Sequence, residues 1–253
     1  MNIKDSFNWL LTGFLLTLLK RSTRHRLKGA GADWLQPIRS KPSIVNRVDY
    51  ILDYCRNKKV LHIGFTDHPF TIERMNTGAL LHSRLKSVTT DLAGIDNDAG
   101  SISRYRELTN DPQVYEADIT VQYPDEATRF KPGVILLSEV LEHLSDPYKA
   151  IDILHKSFDA GVTVMVTVPN YTAMDSIAAS LHQTESIHPD HFWYFSPYTL
   201  CRLLDEKRFE LKQIHFGMYY QPHTRINAIM KAFPFNGDCI IGVFSIIKNG
   251  PYA

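Results

Sequence analysis

Several apolar segments of this chain end in a glycine or a carboxylate, residue types that can hold a nucleoside. Gly64 follows the run VLHI, Asp96 follows LAGI, and Asp118 and Glu139 lie at the ends of two further runs. A glycine lets the backbone approach a ligand closely, because it has no Cβ. A carboxylate after a second strand can accept both ribose hydroxyls, and one after a third strand can accept from an adenine amino group. The four residues therefore predict a cofactor site.

Two histidines, His143 and His191, are candidates for catalysis. Transfer of a group to a hydroxyl requires an acceptor for the hydroxyl proton, and histidine suits that task near neutral pH. His143 belongs to the segment SEVLEHL, directly after an apolar run, and His191 lies in a polar segment further along. The alternative for His143 is structural, with hydrogen bonds from its ring fixing the loop.

The elements that would position these residues alternate between strand and helix. Five apolar runs of strand length begin at Val60, Leu92, Val114, Val134 and Val162. Segments of helical spacing lie between them, and Ile44, Val48, Ile51 and Leu52 predict a helix before the first strand. The carboxyl ends of parallel strands share one edge of a sheet, and ligands bind there. Gly64, Asp96, Glu139 and Pro169-Asn170 are therefore expected to converge on one crevice.

Three segments resemble the class I S-adenosylmethionine-dependent methyltransferases, over roughly residues 45–216. They are VLHIG with the later GID, then SEVLEHLSDP, and finally TVPN with HPDHFWYFSPYTLCRLLDEKRFEL. The chain departs from the family at three places. His62 stands where an acid is usual, Gly64-Phe65-Thr66 replaces a G-x-G continuation, and Gly133 stands where an acid often begins the fourth strand.

The resemblance implies an α/β fold, a Rossmann-like doubly wound sheet of seven strands. The sheet would be mostly parallel, with an antiparallel edge pair formed by the strand from Phe209 and by 240–247. The implied cofactor is S-adenosylmethionine. Gly64 and Asp67 would lie by its amino-acid part, Asp96 by the ribose, and Asp118 with the Ile119 amide by the adenine. The full predicted cofactor-binding set is His62, Gly64, Asp67, Asp96, Asp118, Ile119 and Glu139.

The spacing Glu139-x-x-Glu142-His143 resembles the metal-binding E-x-x-E-H of two methyltransferase subgroups. One comprises ubiquinone-biosynthesis O-methyltransferases, and the other comprises small-RNA 2′-O-methyltransferases, in which a further histidine completes the site. Asp190-His191-Phe192-Trp193 is similar to that further segment. The resemblance implies Glu139, Glu142, His143 and His191 as ligands of Mg²⁺ or another divalent cation. EVLEHL also occurs in members with no known metal, so a metal-free site is the alternative.

Length and composition favour a single large catalytic domain. The chain has 253 residues and a formal net charge of +1, so it has no overall electrostatic attraction to nucleic acid. Three cysteines without C-x-x-C spacing predict reduced thiols in the cytoplasm rather than a disulfide framework or zinc site. We assign residues 43–253 to the methyltransferase domain, with an insertion at 171–195 over the active edge that would cover the substrate.

Residues 1–42 are predicted to form a helix and a linker. The apolar run from Trp9 to Leu19 is about half the length needed to span a bilayer, and the basic stretch Lys20 to Lys28 follows it. Residues 1–28 would therefore either contact the inner face of the membrane peripherally or pack as a helix, for example in a dimer.

The acceptor is expected to be a small molecule or a glycan hydroxyl. VLHIG-x-x-DHP, LLH-x-RL and GID look like methyltransferases of bacterial glycan biosynthesis, and the N-terminal segment would suit a lipid-linked glycan or quinone. Two alternatives stay open. One is a metal-dependent RNA 2′-O-methyltransferase, although the balanced charge argues against nucleic acid. The other is an inactive methyltransferase-fold scaffold, because fold does not establish function.

Overall fold

A computed structural model describes residues 43–219 and 234–248. Within these ranges one sheet contains eight strands: β1 (Ile44–Asn46), β2 (Lys59–Ile63), β3 (Asp91–Asp96), β4 (Val114–Glu116), β5 (Val134–Ser138), β6 (Thr163–Pro169), β7 (Phe209–Met218) and β8 (Cys239–Ile246). Their order across the sheet is β1-β7-β8-β6-β5-β2-β3-β4. β8 pairs antiparallel with both of its neighbours, and the other pairs are parallel.

The helices of the described residues flank this sheet. They are α1 (Arg47–Cys55), α2 (Thr71–Asn76), α3 (Leu81–Lys86), α4 (Ala99–Thr109), α5 (Asp125–Arg129), α6 (Pro147–Ser157), α7 (Met174–Leu181) and α8 (Pro197–Leu203), with 3₁₀ turns at Leu141–His143 and Pro234–Asn236. Side chains cap several of them, which explains where they start. Asp98 accepts from Ser101 N at 2.6 Å, and Asp146 accepts from Lys149 N at 2.9 Å in front of Pro147.

The centre of the sheet is buried on both faces, as its continuous apolar runs require. All five residues of β5 are buried, and in β2 only Lys59 is partly exposed. One core cluster joins the sheet to α1 and α3 through Ile51, Cys55, Val60, Leu85, Leu92, Val134, Leu136, Met165, Cys239, Ile241 and Val243. Ile63 pairs with both Ile95 and Leu137. The ends of β2, β3 and β5 are therefore level, and the residues that follow them meet at one edge.

The predicted fold class is confirmed, but the strand count of seven is wrong. β1 is an eighth strand, parallel to β7, and it includes Ile44, which we had predicted to be helical. The helix starts later because Asn46 adopts an extended conformation and accepts from Asp49 N at 3.0 Å, as an N-cap does. β1 pairs only with the last three residues of the ten-residue β7, so it is a short extra edge strand beside the predicted antiparallel pair of β7 and β8.

The N-terminal predictions concern residues outside the described ranges. The helix and linker of 1–42, and their membrane or dimer contact, therefore stay predictions. In the part of the chain that the structure describes, no helix has both the length and the apolar character that crossing a membrane requires. The side chains of Cys55 and Cys239 are buried.

Candidate functional site

The turn after β2 requires glycine at its first position. Gly64 has φ +74°, a region that L side chains avoid, and a Cβ there would lie 2.5 Å from Val140 Cγ2. Its N–H donates to Ile95 O at 2.8 Å, which joins the turn to β3. The glycine therefore lets the β2 turn and the segment after β5 approach each other at the carboxyl edge.

Asp96 lies at the end of β3 and binds the same turn. Its Oδ2 accepts from Thr66 N at 3.0 Å and Thr66 Oγ1 at 2.9 Å, and its Oδ1 accepts from Asn97 N at 2.8 Å. The helix that follows is capped by Asp98, so Asp96 is not the N-cap. The carboxylate is only partly buried, so lone pairs at the sheet edge can accept from a ligand hydroxyl.

Asp67 and Asp118 flank this position on two other loops. Asp67 has φ +58° and pairs with Arg74. Burial raises the pKa of Asp67, although the Arg74 charge opposes the shift. Asp118 follows β4 and accepts from Thr120 Oγ1 at 2.6 Å, a hydrogen bond that lowers the pKa of Asp118. The neighbouring Ile119 has a buried side chain.

His62 lies inside the sheet rather than at the surface of the crevice. Its ring is 2% exposed, and its Nδ1 is 3.2 Å from Nδ1 of His82, which is itself fully buried. Phe65 and Tyr105 pack around the His82 ring. Burial lowers the pKa of His62 well below its usual value and that of His82 to about 3, so both rings are neutral. A buried neutral pair thus replaces the acid that is usual at position 62.

Glu139 is held by partners that the sequence did not suggest. It has φ +56°, its Oε1 accepts from Thr167 Oγ1 at 2.6 Å, and its Oε2 accepts from Tyr219 Oη at 2.6 Å. Arg47 Nη1 lies 3.9 Å from Oε1, and it donates to Ser138 Oγ at 2.9 Å. The prediction put Glu139 both at the cofactor and in a metal site, and the structure places it in this network beside the glycine turn.

Arg47 is the residue of this edge that the sequence analysis missed. Its guanidinium stacks 5.2 Å from the centre of the Tyr219 ring, and its buried Nε has no hydrogen-bond partner among the described residues. Burial acts to lower the pKa of Arg47, but the charge of Glu139 and other neighbours outweighs it and the pKa is raised. The sequence does contain a signal for Arg47. A positive charge at the first position of a helix is unfavourable with the helix dipole, so an arginine there indicates a stabilising partner elsewhere.

A second group of side chains forms where the 3₁₀ turn meets the insertion. Potential ligand atoms of Glu142, His143 and His191 all lie within 4.8 Å of one another. Two hydrogen bonds hold the insertion in place, from Phe192 N to Glu142 O and from Trp193 Nε1 to Leu144 O, both at 2.8 Å. Three of the four predicted metal ligands therefore come together, and Glu139 is the one that lies outside the group.

The carboxylate of Glu142 is the unusual member of this group. The residue is 0% exposed, and neither carboxylate oxygen has a hydrogen-bond partner in the described part of the chain. Burial, followed by the charge of Glu139, raises the pKa of Glu142 well above its usual value. Burial also lowers the pKa of His143 and lowers that of His191 to about 4. Such a site can hold a cation, or it can keep two neutral imidazoles ready to accept a proton.

A cavity of about 220 Å³ opens between the end of β6 and the insertion. His188, His191 and Tyr194 line it from the insertion, and on the other side it is lined by Tyr219, directly after β7, and Asp238, directly before β8. Both ends of the insertion are fixed to the sheet edge, because Asn170 bridges to Phe195 and Tyr171 N donates to Phe195 O at 2.8 Å. The cavity therefore adjoins both the Glu139 network and the histidines.

Comparison with known proteins assigns the family. A family model described as a methyltransferase domain matches residues 46–214, which is more than half of the chain. A search of curated proteins finds no match. Among similar solved structures is the small RNA methyltransferase HEN1, with a TM-score of 0.55 and 14% identity over 85% of this chain and 27% of that chain. A protein assigned as a methyltransferase from Thermobifida fusca YX has a TM-score of 0.53 and 16% identity over 79% of each chain. Another from Bacillus halodurans C-125 has a TM-score of 0.52 and 12% identity over 79% of this chain and 98% of that chain.

These structures agree with the fold, and at such identities they establish the fold alone. The chain spans about a quarter of the length of HEN1, so nothing is carried over from the rest of that protein. The family match covers the glycine turn, Asp96, Glu139 and both histidines of the second group. This chain therefore belongs to the methyltransferase domain family, and it is a class I S-adenosylmethionine-dependent methyltransferase.

Proposed function

We propose that this enzyme methylates a hydroxyl group of a small molecule or glycan, with His143 or His191 as the proton acceptor. The observation that carries the proposal is the group of Glu142, His143 and His191 beside a cavity at the carboxyl edge of the sheet. Proton removal from a hydroxyl needs a neutral base, and the lowered pKa values keep both imidazoles neutral at pH 7.

The cofactor would lie across the edge formed by the turns after β2, β3 and β4. When bound, S-adenosylmethionine supplies an electrophilic methyl group on a sulfonium. Asp96 would accept from the ribose hydroxyls, and Asp118 with the Ile119 amide would bracket the adenine. Gly64 leaves room for the backbone to approach, with Asp67 next to it. Positioning by these residues supplies most of the catalysis in such a transfer.

Arg47 and Glu139 would bind the amino-acid part of the cofactor. The orphaned Nε of Arg47 is a buried donor, and a carboxylate partner would satisfy it. Glu139 is an acceptor held beside it by Thr167 and Tyr219, and it can receive an ammonium group. The two residues thus offer opposite charges to a zwitterion, which would offset the loss of the usual acid at His62.

A divalent cation fits the Glu142 group, because two orphaned carboxylate oxygens lie beside two imidazoles. Glu142, His143 and His191 would hold the cation, and Glu139 would join them only by giving up Thr167 or Tyr219. A bound cation lowers the pKa of a coordinated hydroxyl, which would leave the histidines as ligands and not as the base. Methyl-transfer activity measured with a chelator present therefore distinguishes the two routes. A histidine base without metal should stay active, and the metal-assisted route should be lost.

One observation favours RNA as a second candidate acceptor. His191 joins Glu142 and His143, as the resemblance to small-RNA 2′-O-methyltransferases implies. Charge favours the glycan or small molecule instead, since residues 171–195 contain Asp175, Glu185 and Asp190 and neither Lys nor Arg. A surface that follows a phosphate backbone requires basic residues. An inactive scaffold fits the structure less well than an enzyme, because Asp96 and the glycine turn lie together at the edge.

Calorimetric titration with S-adenosylhomocysteine and S-adenosylmethionine tests the cofactor half of the proposal. We expect dissociation constants in the micromolar range, and a loss of at least about tenfold, or roughly 1.4 kcal/mol, for Asp96→Ala. Asp91→Ala is the matched control, because Asp91 begins the same strand at the opposite edge. No binding by the wild-type protein would refute the assignment.

A screen of sugars and phenols with radiolabelled cofactor then tests the acceptor half. The variant that removes the base, His143→Ala or His191→Ala, should lower kcat by about a hundredfold or more while cofactor affinity is retained, since a general base contributes about that much. Activity that vanishes in EDTA and returns with Mg²⁺ or Mn²⁺ would support the cation. Full activity of both histidine variants would remove the role proposed for them.

A further inference from the structure

More than half of the large hydrophobic residues that are exposed in the described ranges belong to the insertion. Thirteen large hydrophobic residues are exposed in the described ranges, and seven of them lie in the insertion: Tyr171, Met174, Ile177, Leu181, Ile187, Phe192 and Trp193. Leu181 is 79% exposed and Phe192 is 67% exposed. Scattered single exposures are normal, but a concentration of this kind marks an interaction surface.

Helix α7 is oriented with its apolar side outward. Met174, Ile177 and Leu181 recur at the spacing of one helix face, all three are exposed, and the helix contains no buried residue. Asp175 and Ser176, from the other side of the helix, line the cavity. An ordinary surface helix places its apolar stripe against the core, whereas this stripe is not covered by any of the residues that the structure describes.

We propose that the apolar face of α7 docks the enzyme onto a lipid bilayer. A second copy of the chain is a less suitable partner for this face, because the eight-residue helix is only about 12 Å long. A stripe of that length offers a small part of the roughly 800 Å² per partner that a stable dimer buries. Insertion into a bilayer has no such area requirement, and aliphatic residues with nearby Trp, Tyr and Phe are the composition found at the membrane interface.

The sequence supplies a second membrane signal of a different kind. Residues 20–28 contain five Lys or Arg directly after the apolar run from Trp9 to Leu19. Stable peripheral binding takes two signals, one apolar and one basic, because a single one gives only marginal binding. The insertion has no Lys or Arg. The α7 face would therefore act by burial of apolar surface alone, and the basic stretch would provide the attraction to anionic headgroups.

Docking through α7 is separate from methyl transfer and is compatible with any acceptor. It would nevertheless affect how the acceptor reaches the site, because the other side of α7 lines the cavity. A bilayer on the outer face of α7 would put the cavity wall close to the headgroup layer, where a lipid-linked acceptor presents its polar group.

Co-sedimentation of the full chain with vesicles tests the proposal, using pure phosphatidylcholine and phosphatidylcholine with phosphatidylglycerol. The wild-type protein should bind both, and the anionic vesicles more tightly. Ile177→Gln with Leu181→Gln should lower the partition coefficient at least about tenfold on both vesicles, since two exposed aliphatic side chains lose burial. Leu108→Gln with Val121→Gln is the matched control, because these residues are exposed outside the insertion, and it should bind like the wild type.

Each contrary outcome overturns the docking face. The wild type could fail to sediment with either vesicle, or the α7 variant could bind as tightly as the control. A wild-type dimer that becomes a monomer in the α7 variant, measured without lipid by sedimentation equilibrium, would show that a second copy covers the face instead. Titration with S-adenosylhomocysteine should give the same affinity for both variants, which confirms that the domain is folded and that the cofactor site is independent of the docking face.

Discussion

Gly64→Ala is the substitution whose effect can be worked most fully from the structure. Two costs add at this position. The left-handed backbone, at φ +74°, costs a residue with a Cβ about 1–2 kcal/mol. The new Cβ would lie 2.5 Å from Val140 Cγ2, and overpacking of that kind costs about 1–3 kcal/mol more. The free energy of unfolding should therefore fall by about 2–5 kcal/mol, a large share of the 5–15 kcal/mol typical of a domain.

Two other glycines separate the costs. Gly78 and Gly161 also have positive φ, at +69° and +85°, but a Cβ at either would have no atom within 4 Å. Gly78→Ala and Gly161→Ala should therefore show the backbone cost alone. Val140→Ala removes the clashing methyl and should restore about 1–3 kcal/mol in the Gly64→Ala background, beyond the effect of Val140→Ala in the wild type.

Urea denaturation followed by circular dichroism measures these differences, and calorimetry with S-adenosylhomocysteine gives a second readout. Gly64→Ala should also weaken cofactor binding, because the β2 turn must move away from the segment after β5. The result that would refute the reasoning is a Gly64→Ala protein no less stable than Gly161→Ala. A double variant without rescue would show that the contact with Val140 is not the second cost.

Three further predictions concern pH, the Glu139 network and a helix cap. Burial lowers the pKa values of His62 and His82, so near neutral pH only the unfolded state takes up protons at these histidines. The free energy of unfolding should therefore be constant above about pH 7. Below about pH 6.5 it should fall by about 1.4 kcal/mol for each pH unit and each of the two histidines. Thermal or urea unfolding from pH 7.5 to 5 measures this, and His82→Leu should lower the slope. Tyr219→Phe removes a 2.6 Å hydrogen bond to Glu139, and the free energy of unfolding measured with urea should fall by about 1.5–3 kcal/mol. A fall below about 0.5 kcal/mol, roughly the measurement error, would show that this hydrogen bond does not stabilise the protein. Asp98→Ala removes the cap of α4 and should cost about 1 kcal/mol, while Asp98→Asn should retain most of it.

The parts of the site that could be predicted from the sequence are those fixed by strand direction. Once parallel strands were inferred, the residues directly after them had to share an edge, and Gly64, Asp96 and Glu139 do. Arg47 could not be found in this way. It reaches the edge from the helix that precedes β2, and its contact with Tyr219, directly after β7, joins residues far apart in the chain. Such contacts depend on packing that local patterns do not encode.

β1 escaped prediction for a related reason. Ile44 fits the helical spacing of Val48, Ile51 and Leu52, but the N-cap at Asn46 leaves Ile44 and Val45 before the helix. What makes them a strand is the uncovered edge of β7, which accepts a short parallel partner. The exposure of the apolar face of α7 could not be predicted either. Residue spacing shows that apolar side chains lie on one face of a helix, but it does not show whether that face is turned toward the core or toward solvent.

The position of Glu139 shows why the metal motif was only partly reproduced. A spacing of i, i+3 and i+4 puts three side chains on one face when the segment is helical. Here Glu139 has φ +56° and leaves the strand in a left-handed conformation, whereas Leu141–His143 form a 3₁₀ turn. The break between the two conformations sends Glu139 toward Thr167 and Tyr219, and it leaves Glu142 and His143 facing His191. Glu139 could therefore join a metal site only by giving up its hydrogen bond to Thr167 or the one to Tyr219.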